Sequence, residues 1–395
     1  MISVAEAQSR IEAAAVATET VALSAAAGRT LAEDVRARRD QPPFAASMMD
    51  GYALRGADAG EALAIVGESA AGRPFDRAIG AGECVRISTG APLPAGADCI
   101  LVQEDARMHN NVLHLEARPS RGFIRARASD FAADDRLLMA GQRLDAPQIL
   151  LAAATGAARV CVRQRPRLGL FAMGDELVAP GSLPAPTQIY ESASYGVAAL
   201  AGAWGAEASP QKPLPDDPHS IAEALQSARD QSDALVIIGG ASSGPHDHAR
   251  SVLASLGLSM KFSGVALKPG KPTWFGYWRG RPVLGLPGNP ASALVSARLF
   301  LCPLIEQMLG RDGGDALIFS AGFISTSLGA GAGREEYVRA IASPRCDGFM
   351  GLTPACGQDS TLTTSLAASN ALIRRPADAP AASAGAVAHF LYWFG

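Results

Sequence analysis

The sequence predicts an α/β plus β fold divided among several domains. Three observations carry that reading. Strand-like apolar runs alternate with helical patterns between residues 166 and 312. Short alternating runs cut by glycine and proline fill residues 41–125. Short β-like runs return after residue 313. At 395 residues, the chain has room for two to four domains of roughly 100–200 residues each.

Residues 1–40 read as an amphipathic helix ending near Ala17, followed by a second element over Val21, Leu23, Leu31 and Val35. The β-rich stretch follows, with strand-like runs at 63–66, 83–87 and 99–103. A helical stretch at 146–158 and a strand over 156–162 lead out of it. From residue 167 the texture changes. An apolar run at 167–177 turns into Gly-Asp, and helical patterns occupy 194–205 and 221–229. A buried strand at 233–238 enters a Gly/Ser turn, a helix covers 248–256, and residues 282–309 read as strand, tight turn and long helix. Strands alternating with helices at this spacing predict a parallel, doubly wound sheet, whose ligands bind at the C-terminal strand ends. Runs at 316–320, 336–341 and 371–374 predict a small C-terminal β domain, with a loop over 376–385. The expected division is 1–165 with the inserted β-rich subdomain at about 41–125, then 166–312, then 313–395.

Composition narrows the function. The hydrophobic fraction of 48% excludes global disorder. A net charge of −3 argues against a chain-wide nucleic-acid binder. No uninterrupted apolar run reaches the ~20 residues of a membrane span. The N-terminus carries Glu6, Arg10 and Glu12 instead of a secretion signal. Six widely spaced cysteines without a CxxC pair read as free thiols in a reducing cytosol, so a cytoplasmic protein is expected.

Three turns have the chemistry of an anion site. The first, Gly239 to Gly244, follows a strand; Gly239, Gly240 and Gly244 let backbone N–H groups approach an anion, and Ser242 adds a hydroxyl. Lys268-Pro269-Gly270-Lys271-Pro272 places two cations three residues apart in a stiff turn. Pro287, Gly288 and Asn289 end a strand and open a helix whose N-terminus can face a phosphate. Each also reads as a plain structural turn. Asp175, Glu176, Asp216, Asp217 and Asp247 sit at the same strand ends, where grouped carboxylates suit Mg²⁺. Taken singly they also read as caps or solvated charges, and Asp217 precedes a helix it can cap. His246 and His248 form one His-x-His without a clear third ligand, a weak zinc pattern.

Two further stretches have no periodic explanation: PPFAASMMDGYA at 42–53 and RISTGAPLPAGAD at 86–98. They complete an ordered set with GDEL at 174–177, QIYES at 188–192, PDDPHSI, GGASSGPHD, LKPGKP, GLPGNPASA, the segment from Arg334 to Arg339 and the Ser-rich stretch at 357–370. Through this set the chain resembles the molybdopterin molybdenumtransferase family, the MoeA type that also forms the E domain of gephyrin. The resemblance implies an elongated four-part subunit and a homodimer. Its active cleft would lie between the central and C-terminal domains of one subunit and the β-rich subdomain of the other. The implied reaction joins adenylylated molybdopterin and molybdate, with Mg²⁺ assisting pyrophosphate cleavage, and yields AMP and molybdenum cofactor. Contact with the adenylyltransferase or with target molybdoenzymes would follow. By position, Asp216 and Asp247 match the metal-site acids, Lys268 and Lys271 the lysine pair, and Arg334 and Ser365 oxyanion donors. Glu176 matches the GDEL acid, Asp50 and Thr89 match positions in the β-rich subdomain, and Asp130 matches the acid closing a stretch that begins at Ile124.

The chain departs from the family pattern at five places. Pro245 stands where an acid is frequent, Gly264 where a lysine is usual, Ala193 where an asparagine is usual, and Met173 where a hydroxyl is usual. The stretch ending in Asp130 lacks its Gly and Glu. These changes support a second reading, a divergent paralogue that binds and delivers molybdopterin or the finished cofactor with little or no chemistry. A third, adenylyl transfer by the central domain alone, sits poorly with the multi-domain chain.

Overall fold

The computed structural model of the chain describes residues 1–240 and 248–394. The chain forms two compact units: Met1–Glu19, Gly28–Ala32 and Cys161–Gly395 make one, Thr20–Ala27 and Glu33–Val160 the other.

The second unit holds the expected β-rich region. Its six-stranded sheet is built on Gly51–Leu54, which pairs antiparallel with both Glu83–Ile87 and Cys99–Val102. Alternation along Gly51–Leu54 sends Tyr52 and Leu54 to one apolar cluster with Leu63, Cys84, Leu101 and Leu113. Ala53 goes to the other, with Ile87, Ala91 and Ile100. Both faces are therefore covered, which is why every residue of that strand is buried.

The first unit opens with a helix, Val4–Ser9, capped by Ser3 Oγ, which accepts the Glu6 N–H at 3.1 Å. It stops well short of the expected Ala17. Beyond it the backbone spends its polar groups on a distant helix tip: Gln307 accepts the Ala13 N–H at 2.9 Å and donates to the Ile11 carbonyl at 3.0 Å.

The central sheet of this unit has six strands: β1 (Arg167–Ala172), β2 (Glu207–Pro210), β3 (Ala234–Ile238), β4 (Leu258–Ser263), β5 (Trp274–Trp278) and β6 (Arg281–Leu286). Their order is β2-β1-β3-β6-β5-β4. The first four in that order are parallel, as expected. β5, however, runs antiparallel to both β6 and β4, so the sheet is mixed. The reason is the connection: β5 and β6 are joined only by Arg279 and Gly280, both at positive φ (49° and 81°). Two such residues make a hairpin turn and cannot make a crossover. Helices α1 (Ala193–Ala203), α2 (Pro218–Arg229) and α3 (His248–Ser255) cover the sheet.

After β6 the chain runs through Pro290–Ser296, a π-helical turn Ala297–Leu301, and Cys302–Met308. This is the one described helix long and apolar enough to cross a membrane by composition, and it is 89% buried inside the fold. Pro303 has no N–H for the Leu299 carbonyl four residues back, and Gln8 Nε2 donates to that carbonyl instead, at 3.2 Å.

The C-terminal strands are Ser320–Ile324, Glu335–Pro344, Met350–Pro354, Ala371–Arg375 and Val387–Tyr392. Glu335–Pro344 pairs on both sides, with Met350–Pro354 and with Ala371–Arg375, which closes a small barrel. The strand expected at 316–320 is instead a 3₁₀ turn, Gly313–Leu317, followed by the first barrel strand. Asp312 Oδ1 accepts the Gly314 N–H at 2.8 Å and buried Arg298 donates to the Ala316 carbonyl at 2.7 Å, which together hold that turn.

Candidate active site

The chain leaves β1 for β2 on one side and reaches β3 on the other, so the strand order reverses between β1 and β3. Crevices form at such points because the following connections diverge to opposite faces of the sheet. A cleft of 1210 Å³ lies there. It is lined by Ala172, Met173 and Gly174 after β1, Gly239 and Gly240 after β3, and residues 287–290 after β6. Gly239 has φ 85°, and a Cβ on it would lie 2.7 Å from the Met173 carbonyl oxygen. Only glycine lets the two strand ends approach so closely. Pro287, Gly288 and Asn289 stand before a helix that starts on Pro290, the position where a missing N–H costs nothing. Asn289 Nδ2 donates to Ser360 Oγ at 2.8 Å and the Ala291 N–H to the Ser360 carbonyl at 3.1 Å. These two bonds tie the turn to the barrel.

Glu176 and Asp216 both line the cleft. Asp175 Oδ1 accepts the Asp216 N–H at 3.0 Å, so the loops after β1 and before α2 are joined. Asp217 is a helix cap: its Oδ2 accepts the Ser220 N–H at 2.7 Å, and that bond holds its carboxyl below the usual range. Glu191 also lines the cleft but is spent on structure. Its two oxygens accept from the Ser194 N–H (2.8 Å) and hydroxyl (2.5 Å) at the start of α1. Ser242, Gly244, Pro245, His246 and Asp247 lie outside the described residues, and with Asp247 so does the expected Asp216–Asp247 pair. Among the described residues, no group of three or more His, Cys, Asp or Glu side chains converges on a metal position.

A second cavity of 300 Å³ is lined by Lys268, Lys271, Arg334, Glu336, Gln358 and Ser360, among others. Lys271, Pro272 and Ser292 line both cavities. The lysine turn is held rigidly. Gly270 has φ 127°, and a Cβ there would lie 2.6 Å from both Leu267 Cδ2 and Ser296 Oγ. Buried Thr273 Oγ1 donates to the Gly270 carbonyl at 2.7 Å and stands 3.0 Å from Ser296 Oγ. The two lysines are not equivalent. Lys268 Nζ lies 2.8 Å from Glu336 Oε1, whereas Lys271 has no ion-pair partner among the described residues. Arg334 Nη1 makes a long 3.5 Å contact to the Leu267 carbonyl.

The structure therefore brings together Lys268, Lys271 and Arg334, and separately Glu176, Asp216, Gly239, Gly240, Pro287, Gly288 and Asn289. Ser365 is not among them: it is buried, and its hydroxyl donates to the Leu362 carbonyl at 3.1 Å in the first turn of a short helix. Ser360, five residues earlier in the same stretch, faces the cavity instead, as does Gln358. Neither is among the site residues expected from the sequence. Gln358 is oriented by a reciprocal pair with the Arg339 backbone, 3.0 Å each way. A stretch with several hydroxyls carries no signal for which one turns inward; here Asn289 and the Ala291 N–H hold Ser360 in its turn, while Ser365 lies inside the short helix.

In the other unit, Asp50 Oδ1 accepts the Thr89 N–H at 2.7 Å, joining the two stretches that periodicity left unexplained. Both residues are exposed, beside exposed Met48 and Met49. Asp130 is exposed as well, with its N–H donated to the Gln41 carbonyl at 3.0 Å.

Family comparisons agree with this layout. Residues 2–156 match the MoeA N-terminal region (domain I and II), 169–307 the probable molybdopterin binding domain, and 324–393 the MoeA C-terminal region (domain IV). The chain is 34% identical to molybdopterin molybdenumtransferase 1 of Mycobacterium tuberculosis (strain H37Rv) over 96% of each chain. It is 35% identical to the molybdopterin molybdenumtransferase of Nostoc sp., over 81% of this chain and 76% of that one. The crystal structure of a molybdopterin biosynthesis MoeA protein from Pyrococcus horikoshii superposes with a TM-score of 0.86 at 27% identity, covering 100% of both chains. With all three regions matched in order and relatives aligned over nearly the full length, the chain belongs to the molybdopterin molybdenumtransferase (MoeA) family of molybdenum cofactor biosynthesis.

Proposed function

We propose that the chain inserts molybdenum from molybdate into adenylylated molybdopterin, with release of AMP and molybdenum cofactor. The observation that carries this reading is the shared wall: Lys271, Pro272 and Ser292 border both the strand-end cleft and the cationic cavity. An oxyanion held in the smaller cavity would be adjacent to a ligand in the larger one. In this reading the backbone after β3 and β6 receives the pyrophosphate, because N–H groups at strand ends and helix starts favour anions. Lys268, Lys271 and Arg334 hold molybdate, a dianion that needs fixed positive charge.

Asp216 and Asp247 are proposed to hold Mg²⁺, with Glu176 beside them. Glu176 and Asp216 fit this role by donor type and by lining the cleft, since Mg²⁺ takes one or two carboxylates plus substrate phosphates. The ion supplies charge neutralisation on the pyrophosphate. Asp50 and Thr89 are proposed to act from the β-rich subdomain of a second copy in a homodimer. The boundaries after residues 165 and 312 remain our proposed division, and a cytoplasmic setting accords with six free cysteines.

Reconstitution tests the reading: purified protein, adenylylated molybdopterin, Mg²⁺ and molybdate, with AMP and cofactor followed together. Both should rise with molybdate, and omitting Mg²⁺ should slow AMP release. Tight binding of the adenylylated pterin with no AMP release under any condition would overturn it in favour of a carrier.

A further inference from the structure

The cationic cavity contains one carboxylate, and its position is not accidental. Lys268 lies on the two-residue strand Leu267–Lys268, which pairs in parallel with Glu335–Glu336; the register sets Lys268 directly opposite Glu336. Strand alternation sends the two neighbouring acids to different work. Glu335 is held by Arg374 Nε at 2.7 Å and by the Tyr337 hydroxyl at 2.8 Å. Glu336 pairs with Lys268 and lines the cavity together with Lys271 and Arg334.

We propose that Glu336 is an internal competitor for the oxyanion: its carboxylate occupies Lys268 while the cavity is empty, and a tetrahedral dianion binds by taking Lys268 from it. The proposal rests on the molybdate reading of this cavity. Three features support it. The pair is formed at 2.8 Å with side chains 49% (Lys268) and 26% (Glu336) exposed. Pairs in contact with water are worth little, so an arriving anion can displace this one. Three cations and one carboxylate line the cavity, a net +2 that balances a dianion. Glu336 has no second ion-pair partner among the described residues that would hold it away from Lys268 in any other way. The consequence is moderated affinity. An oxyanion that must be passed on to a neighbouring ligand is released more readily from a site that has its own carboxylate ready to return.

The alternative is that Glu336 merely fixes the Lys268 side chain in a productive place. The two roles predict opposite signs. Glu336→Gln keeps size and hydrogen-bonding shape while removing the charge. If Glu336 competes, this variant of the full chain binds tungstate and molybdate about tenfold more tightly in calorimetric titration, from a freed lysine and relieved like-charge repulsion. If Glu336 only positions Lys268, binding stays unchanged or weakens, and the proposal is overturned. A double-mutant cycle with Lys268→Met adds a control that does not depend on one variant folding well. In the Lys268→Met background the gain from Glu336→Gln should shrink to about twofold or less. A gain that persists in full would mean simple repulsion without competition for Lys268, and would also overturn the proposal. Failure of the underlying reading looks different: wild-type chain that binds neither oxyanion, or Lys271→Ala that leaves oxyanion binding untouched, would remove the cavity from molybdate chemistry altogether.

Discussion

Lys271 is the cation that borders both cavities without an ion-pair partner among the described residues, so its charge is available to a ligand. A charge-assisted contact is worth roughly 1.5–3 kcal/mol, or about 10- to 150-fold in affinity. Lys271→Ala should raise the molybdate concentration for half-maximal cofactor formation by about that factor, and saturating molybdate should restore the rate. Lys271→Arg should restore it only in part, since a planar fork does not replace a compact ammonium. Titrating molybdate and adenylylated molybdopterin against the same variants checks the assignment; a change confined to the pterin titration would refute it. Asp216 makes a different demand. Asp216→Asn should slow AMP release at least tenfold while changing pterin affinity much less, because a cation ligand acts on the breaking bond. Single-turnover AMP release beside equilibrium binding separates the two effects.

At the scale of the element, the lysine turn is a wedge between the barrel and the helix that starts at Pro290. Its tip is Gly270, packed against Leu267 and Ser296, with Thr273 bonded beneath it. A methyl group at Gly270 must push either Leu267, on the strand carrying Lys268, or Ser296, on the helix. Both the positive φ and the contact oppose it, at a cost of order 1–3 kcal/mol. Gly270→Ala should therefore lower Tm by several degrees and also weaken molybdate dependence, although it removes no charge. A variant with lowered Tm and unchanged half-saturating molybdate would show that the turn's rigidity does not matter to the site.

At the scale of the whole molecule, acid should act unequally on the two compact units. In the β-rich unit, backbone N–H groups and arginines hold the carboxyls of Asp34, Asp40, Glu83 and Asp98 below their usual range, whereas the longer unit has Asp217, Asp347 and Asp359 so held, none with a fall as large as that of Glu83. For Glu83 the fall is from 4.5 to about 2, caused first by the Arg77 guanidinium at 2.7 Å and then by the Gly80 N–H. A carboxyl depressed in the folded state binds fewer protons there than in the unfolded chain. Its contribution is complete above the unfolded value, about 4.5 for Glu83, and is lost as pH falls towards 2. All four tryptophans (Trp204, Trp274, Trp278 and Trp393) belong to the other unit. Between pH 5 and 2, far-UV circular dichroism should therefore begin to change before tryptophan emission does, and Glu83→Gln should narrow the gap. Coincident transitions would show that the two units unfold as one.

Much of this molecule was legible in its sequence. Apolar runs of strand length ending in glycine located β1, β3 and β6, because a fully covered parallel strand must be continuously apolar. Glycine and proline at those ends marked the cleft, and the ordered motif set gave the family. Other features depended on distant partners. β5 reads WFGYW, a run that local pattern alone does not orient; a two-residue turn made it antiparallel. The first helix ends at Ser9, and the Ile11 carbonyl and Ala13 N–H that would continue it are taken by Gln307, almost three hundred residues away. Ser360 faces the cavity and Ser365 does not, because distant Asn289 bonds the Ser360 hydroxyl while that of Ser365 bonds back to the Leu362 carbonyl at the start of its own helix. The same is true of Lys268 and Lys271. Sequence made them a symmetric pair, and a strand register with Glu336 gave Lys268 an ion-pair partner, while Lys271 has none among the described residues. Residue type and spacing determine which chemistry is available along a chain, whereas which groups meet depends on long-range pairing that no local window contains.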